Sequence, residues 1–405
     1  MINELQTRLN HKQDQVISWI RDKKSIDMPI YSSYDIRDNG VKAAIVDSNL
    51  FPGGFNNLTS EARGKAAEVF KRIIPKYTSS KDILIIPEAH TRNQYYLSNL
   101  FSLRGILLEA GYRVTLGTAR DDITTDLEVE DSSGHRINLE RMQNADGRLI
   151  TRSFRDGLIL LNNDFSVEAP ALLQNVTNPI LPPLQLGWFH RKKHNHFRKY
   201  CALTRELSGI IGIDQWLLCP ETREVNGISF AENKNIASVA EEVDIMIELI
   251  RKKYRQHKID EEPYVLVKDN SGTYGMGILT VQSGKEVTGL NSRGRQKMRF
   301  GKQKSPISSV IIQEGISTKY RIKNGAAEPV IYSVGGQVIG GFMRVHEERG
   351  HRSNLNAPGA KFDTGLKPDI TCPISDCTRQ DRVIRLYELL ADIAAVAIGM
   401  EMHEL

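Results

Sequence analysis

Cysteine is scarce: Cys201, Cys219, Cys372 and Cys377 are the four in 405 residues. That count and spacing exclude a disulfide framework and a zinc CxxC pair, and the expected compartment is the reducing cytoplasm. Long apolar runs are missing too. The most apolar stretch, Ile393 to Met400, is far too short to span a bilayer. The opening M-I-N-E-L-Q-T-R-L-N-H-K-Q-D lacks the apolar core of a secretory leader and is spaced as an amphipathic helix. Charge of one sign does not dominate, since 54 Lys and Arg face 49 Asp and Glu for a net +5. Such a mild, dispersed excess suits anionic small molecules, and neither a nucleic-acid nor a membrane partner is expected. At 40% hydrophobic and 25% charged residues the chain is globular, and its length suits two or three lobes.

The chain is organised around Tyr264 to Val281, Y-V-L-V-K-D-N-S-G-T-Y-G-M-G-I-L-T-V. Tyr264 to Val267 reads as a buried strand closed by Lys268. An ammonium there either reaches the surface or meets an anion at the strand's end. Gly272, Gly275 and Gly277 follow, with Ser271 and Thr273 among them. A loop of this kind can turn backbone N–H groups toward phosphate oxygens without Cβ clashes. Its Walker A spacing fails at Ile278, where that motif needs Lys. The dinucleotide fingerprint fails as well, because Ile278 to Val281 reads as a strand and not a helix. A plain Gly-rich hairpin with an exposed Lys accounts for the same letters.

Upstream, Lys42 to Asp47 reads as a strand, with an Asn- and Gly-rich exit that carries Asn49 and Asn56. A polar ligand and a plain Asx-rich turn both suit that exit. A helix from about Ser60 to Ile74 is capped by Thr59 or Ser60, and Asp82 to Pro87 is a buried strand ending in Glu88-Ala89-His90-Thr91-Arg92-Asn93. Helix follows to Ala110, then extended chain from Arg113 to Leu116. This alternation predicts a parallel α/β sheet whose ligand loops lie at the strands' carboxyl ends. Arg92 could hold a carboxylate and Glu88 an ammonium, or both could belong to a surface salt-bridge cluster. Residues 117 to 155 are weakly patterned, and Gly157 to Phe165 is another buried strand. The window G-W-F-H-R-K-K-H-N-H-F-R-K-Y is the most basic in the chain, a phosphate or nucleic-acid grip or a solvated helix face.

Phe230 to His257 is amphipathic, residues 284 to 306 suit a mobile loop, and Ser309 to Gly315 is a strand ending in polar residues. Pro329 to Val334 and Gln337 to Val345 make a hairpin across Gly335-Gly336. Beyond it Arg344, Arg352, Asn354 and Asn356 flank Glu347 and Glu348. Cations and hard oxygen ligands together are what phosphoryl chemistry requires. Asp381 to Gly399 reads as the closing helix.

The order of α/β lobe, Lys-ended strand, glycine flap, Gln-Glu-Gly strand end, hairpin and Arg/Asn segment resembles the ATP-grasp ligases. V-K-D-N-S-G-T-Y-G-M-G-I (267 to 278) together with 332 to 362 is similar to the ATP-grasp-type glutamate-cysteine ligases, as are P-E-A-H-T-R-N and V-D-S-N-L-F-P-G-G-F-N-N-L. H-R-S-N-L-N-A-P-G also resembles a segment of glutathione synthetase. The resemblance implies an α/β, ATP-grasp-like fold: an N-terminal parallel substrate lobe (1–170), a linker and helical region (171–260), and a nucleotide-binding lobe with antiparallel strands (261–405). It also implies ATP and Mg2+, with phosphorylation of glutamate's γ-carboxylate and displacement of phosphate by the cysteine amine. Lys268 would contact ATP phosphates, Ser271, Gly272, Thr273, Tyr274, Gly275 and Gly277 would cover them, and Gln313, Glu314 and Gly315 would meet adenine. Arg344 and Arg352 would stabilise the transferring group; Glu88, Arg92, Asn93, Asn49 and Asn56 would bind substrate. Glu347, Asn354 and Asn356 would hold magnesium. The usual late-strand Glu-x-Asn metal pair is missing, with only Glu401 and Glu404 after a helix.

Overall fold

The computed structural model describes residues 2–88, 93–120, 125–166, 168–272, 275–301, 306–364 and 384–405. Arg92, Thr273, Tyr274, Cys372 and Cys377 lie outside them. The fold is mixed α/β, with three principal sheets among the described residues. The first runs Lys361–Asp363, Gln337–His346, Gly325–Val334, Tyr31–Asp38, Ala43–Asn49, all neighbours antiparallel. The second, of six strands, contains the expected parallel core of Leu158–Asn162, Asp82–Pro87 and Arg113–Thr118. The third orders Thr222–Asn226, Ser309–Glu314, Val265–Asp269 and Ile278–Val281 antiparallel.

Local chemistry explains the elements that matched expectation. Thr59 caps the Ser60–Ile73 helix by accepting from the Ala62 N–H. Gly335 and Gly336 take φ of 54° and 70°, the positive values that a tight hairpin turn requires. The strand read at Lys42 to Asp47 exists as Ala43–Asn49, but it pairs antiparallel with Tyr31–Asp38 and does not join the parallel sheet. Tyr31–Asp38 has no apolar run to announce it, and all eight of its residues are nevertheless buried. The weakly patterned 117 to 155 region carries short strands, among them Leu127–Glu130 and Arg136–Arg141. The stretch expected as a mobile loop holds two short helices, Gly284–Thr288 and Ser292–Lys297. Cys201 and Cys219 are joined as one disulfide, Cα atoms 5.6 Å apart, an isolated link that cysteine count did not foresee.

The Leu386–Met402 helix is buried nearly all round and packs against Lys193–Ile211. Its apolar residues were legible, while its acids were not. Glu401 accepts from Arg191 Nε at 2.8 Å and from Nη2 at 3.1 Å, and lies 2.6 Å from His196 Nδ1. Four basic residues of the window are therefore not on a solvated face: Arg191, Lys193, His196 and Lys199 are all buried. Burial alone would push the Glu401 carboxyl up, but Arg191 and His196 outweigh it and bring it down to about 2. Such a depressed carboxylate stabilises the fold above the ordinary carboxylate range, and the contribution is lost as pH falls toward 2.

Glu401→Gln should leave Arg191 buried without its countercharge. Urea unfolding at pH 7 should show a loss of about 3–5 kcal/mol, narrowing as pH falls, whereas an unchanged midpoint would contradict the assigned pairing.

Candidate active site

A cleft opens between the third sheet and the antiparallel first sheet. Its wall at the end of Val265–Asp269 carries Lys268, whose Nζ donates to Gln313 Oε1 at 2.6 Å and to the Val46 carbonyl at 3.2 Å. Burial lowers this ammonium to about 8; Asp47 supports its charge while Lys193 and Arg37 oppose it. Lys193 donates to Asp47 at 2.5 Å, and both line the cleft. Burial raises the Asp47 carboxyl, but Lys193 and then Lys268 more than offset that and hold it at about 2. Two cations thus share one carboxylate at the mouth of the glycine flap. Locally the two ammonium groups exceed that one carboxylate, although the whole lining carries five acids against the four bases Arg37, Lys193, Lys268 and Arg352.

The flap meets the Arg/Asn segment directly. At Gly275, φ +68°, a Cβ would fall 2.2 Å from the Asn356 carbonyl oxygen and 2.7 Å from Asn354 Nδ2. Glycine is required by both conformation and contact. Gly277 is also left-handed at φ +60°. Ser271 Oγ accepts from Lys192 Nζ at 2.6 Å, and Gly272 lines the cleft.

The charged floor is the part that sequence reasoning missed. Arg344 Nη1 donates to Asp35 at 2.6 Å and to Glu328 at 2.7 Å, while Arg37 Nε donates to the other Glu328 oxygen at 2.5 Å. Arg37 also donates to the backbone carbonyls of His351 (3.1 Å) and Ser353 (2.7 Å), tying the Arg/Asn segment to the Tyr31–Asp38 strand. Burial opposes the charge on Arg344, but Asp35 and Glu328 outweigh it and raise its pKa. For Glu328 burial is overcome by Arg37 and Arg344, and its pKa falls. For Asp35 burial prevails over Arg344 and the pKa rises. The expected role of Arg344 is to touch a transferring phosphoryl; in the structure it is buried and paired with Asp35 and Glu328. Arg352, half-buried, does line the cleft, its guanidinium 4.4 Å from the Tyr264 ring centroid, and it donates to the Glu262 carbonyl.

Other expected residues scatter. Gln313 and Glu314 line the cleft, yet Glu314 is a buried structural acid, 2.6 Å from Lys42 and 3.2 Å from Trp216 Nε1. Gly315 is there because a Cβ would overlap the Tyr264 ring at 2.1 Å. Asn354 and Asn356 line the cleft, whereas Glu347 is exposed and paired with Lys361 at 2.8 Å. Glu88 is buried at the parallel sheet and accepts from the Asp164 N–H at 3.1 Å; Asn93 caps the Gln94–Glu109 helix by accepting from the Tyr96 N–H. Asn49 ends its strand, and Asn56 donates to Asn57. None of these four lines the cleft.

The family model for glutamate-cysteine ligase matches residues 6–402. The chain belongs to the glutamate-cysteine ligase family. A crystal structure from Methylobacillus flagellatus KT, provisionally named as a gamma-glutamylcysteine synthetase, is 38% identical over 99% of this chain and 96% of that one, with a TM-score of 0.88. D-alanyl-alanine synthetase A from Vibrio cholerae O1 (10% identity, 80% and 82% coverage, TM-score 0.37) matches at a level that does not bear on the fold. The same holds for a glutathione synthetase-like effector from Globodera pallida (10%, 89% and 83%, 0.41). No curated protein matches the chain by sequence. As a member of the glutamate-cysteine ligase family the chain is a carboxylate-amine ligase acting on small molecules. Among the described residues no helix is long and apolar enough to cross a membrane.

Asp35, Arg37, Asp47, Asp269 and Glu328 are the charged cleft residues that sequence reading did not assign, while Lys193 was read only as part of the basic window. One signal was present: Y-D-I-R alternates aromatic or aliphatic with charge, the two-residue period of a strand. In this family member Arg344→Ala should leave Asp35 buried without its cation and Glu328 with Arg37 alone, and destabilise by about 3–5 kcal/mol. Arg37→Lys should keep most stability but lower kcat/KM by about tenfold or more, because Lys cannot fork between Glu328 and two carbonyls. Paired unfolding and kinetic measurements check both, and wild-type kinetics for Arg37→Lys would contradict the anchoring role.

Proposed function

We propose that this glutamate-cysteine ligase family member works as an ATP-grasp-like enzyme. ATP phosphorylates the γ-carboxylate of L-glutamate, and the amine of L-cysteine displaces phosphate from the γ-glutamyl phosphate to give γ-glutamylcysteine, the first step of glutathione biosynthesis. The observation that carries this reading is the Lys268–Asp47–Lys193 cluster facing a glycine flap inside one cleft. Phosphoryl transfer needs little beyond positioning and charge neutralisation, and this cluster supplies both. Lys268 and Lys193 receive the phosphates, and the backbone at Ser271, Gly272, Gly275 and Gly277 covers them. Gln313 lines the cleft, and its Nε2 is buried without a hydrogen-bond partner, a donor available to the base. Arg352 meets the negative charge that develops on the acyl phosphate.

Magnesium keeps several waters and is held by one or two carboxylates plus phosphate oxygens. Asp35 and Glu328 fit that requirement as cleft-lining acids, with Asn356 from the opposite wall, in place of the exposed Glu347. When bound, the ion neutralises phosphate oxygens. Among the described residues no group of three or more His, Cys, Asp or Glu is arranged to hold an ion unaided, so nucleotide and metal are expected to bind together. The 261–405 segment supplies the flap and strands, and the two strands from Tyr31 to Asn49 complete the cleft from the N-terminal side.

ADP release across an amino-acid panel, each substrate also omitted singly, should require both glutamate and cysteine. Turnover with γ-glutamylcysteine and glycine instead would reassign the chain to a glutathione synthetase-like ligase. Lys268→Ala should cut ATP turnover by roughly tenfold to a thousandfold. Because Lys268 carries its charge only below about 8 in the free protein, ATP affinity should weaken as pH rises through that value. A flat ATP affinity from pH 7 to 9 would remove Lys268 from the phosphate site.

A further inference from the structure

A second cleft, of about 330 Å³, opens on the parallel sheet and shares no lining residue with the first. It arises from a fork in that sheet. Arg113–Thr118 pairs with Asp82–Pro87 from Arg113 onward, but with Arg136–Arg141 only from Leu116–Leu139 to Thr118–Arg141. Upstream the two strands part, and Arg136 to Asn138 keep only their pairing with Leu127–Glu130 on the opposite edge. Val114 and Thr115 therefore have no strand partner on the fork side. Backbone groups there call for water or a ligand.

Two arginines border the gap. Arg104, half-buried on the Gln94–Glu109 helix, has no hydrogen bond or ion pair among the described residues. Arg136 has only an exposed contact with Glu128 at 3.4 Å. The acid on the lining, Glu140, is engaged by Thr151 at 2.6 Å and Ser153 at 2.7 Å. Phe101, stacked on His135 at 4.0 Å, forms an apolar wall. The arrangement joins guanidinium groups to an open strand edge across a gap of small-ligand size.

We propose that this cleft binds a small amide-containing carboxylate of about dipeptide size, its carboxylate held by Arg104 and Arg136 and its amide laid along the Val114–Thr115 edge. Paired Arg–carboxylate contacts and strand-edge hydrogen bonds are the recognition chemistry. The inference lies outside the ligase reading, and its readout is binding, so either can fail alone.

The test is calorimetric titration with γ-glutamylglycine, a dicarboxylate dipeptide without a thiol, against wild type, Arg104→Ala/Arg136→Ala and Lys268→Ala. Binding should weaken about tenfold or more in the double variant and stay unchanged in Lys268→Ala, with wild-type thermal unfolding showing that the double variant is folded. Binding lost only in Lys268→Ala would place the dipeptide in the catalytic cleft and overturn the proposal. So would absence of binding to wild type, full retention in the double variant, or inorganic phosphate binding as tightly as the dipeptide.

Discussion

A buried four-membered charge cluster underlies the cleft: Asp35 and Glu328 against Arg37 and Arg344. Removing such groups from water costs several kcal/mol each, so the cluster is tolerable only because its charges balance and its hydrogen bonds are short. An apolar quartet of the same volume would be at least as stable. What the charges add is direction. Glu328 is gripped from both sides, Asp35 is held by Arg344, and Arg37 carries the constraint into the 351–353 backbone. Three neighbouring strands and a distant loop are thereby fixed relative to one another.

The remaining parts of the site rest on that frame. The loop pinned by Arg37 continues to Asn354 and Asn356, against which the flap closes at Gly275. The other wall is set by Lys268, tied to Gln313 within its own sheet and to Val46 in the neighbouring one. At Gly275 the contact with Asn354 and Asn356 is made by the flap's backbone, with no flap side chain between them. A covered cleft suits a reaction in which a labile acyl phosphate must be shielded from water after the nucleotide has entered.

Much of the architecture was legible because it rests on local signals. The parallel strands are continuous apolar runs, Thr59 is a strong cap, Gly335-Gly336 allows one kind of turn, and the Lys-glycine-flap order singled out the Lys268 strand. What could not be read depends on non-local pairing. Tyr31–Asp38 is half polar by sequence and becomes fully buried only because partners from residues 325 to 346 bring matching charges. Arg344 was found, but its meaning changed once Asp35 and Glu328 stood beside it. Lys193 was hidden in a basic window in which Arg191 serves Glu401 and Lys199 serves Glu404. Charges read along a chain carry no information about which of them will neutralise one another.

The central claim is that the nucleotide phosphates lie between Lys268 and Lys193 beneath the glycine flap. A crystal structure with a non-hydrolysable ATP analogue and magnesium tests it most directly. The account predicts phosphate oxygens within hydrogen-bonding distance of both ammonium groups, with the metal on the Asp35 and Glu328 side. An analogue bound anywhere else, or phosphates in this cleft touching neither lysine, would contradict it.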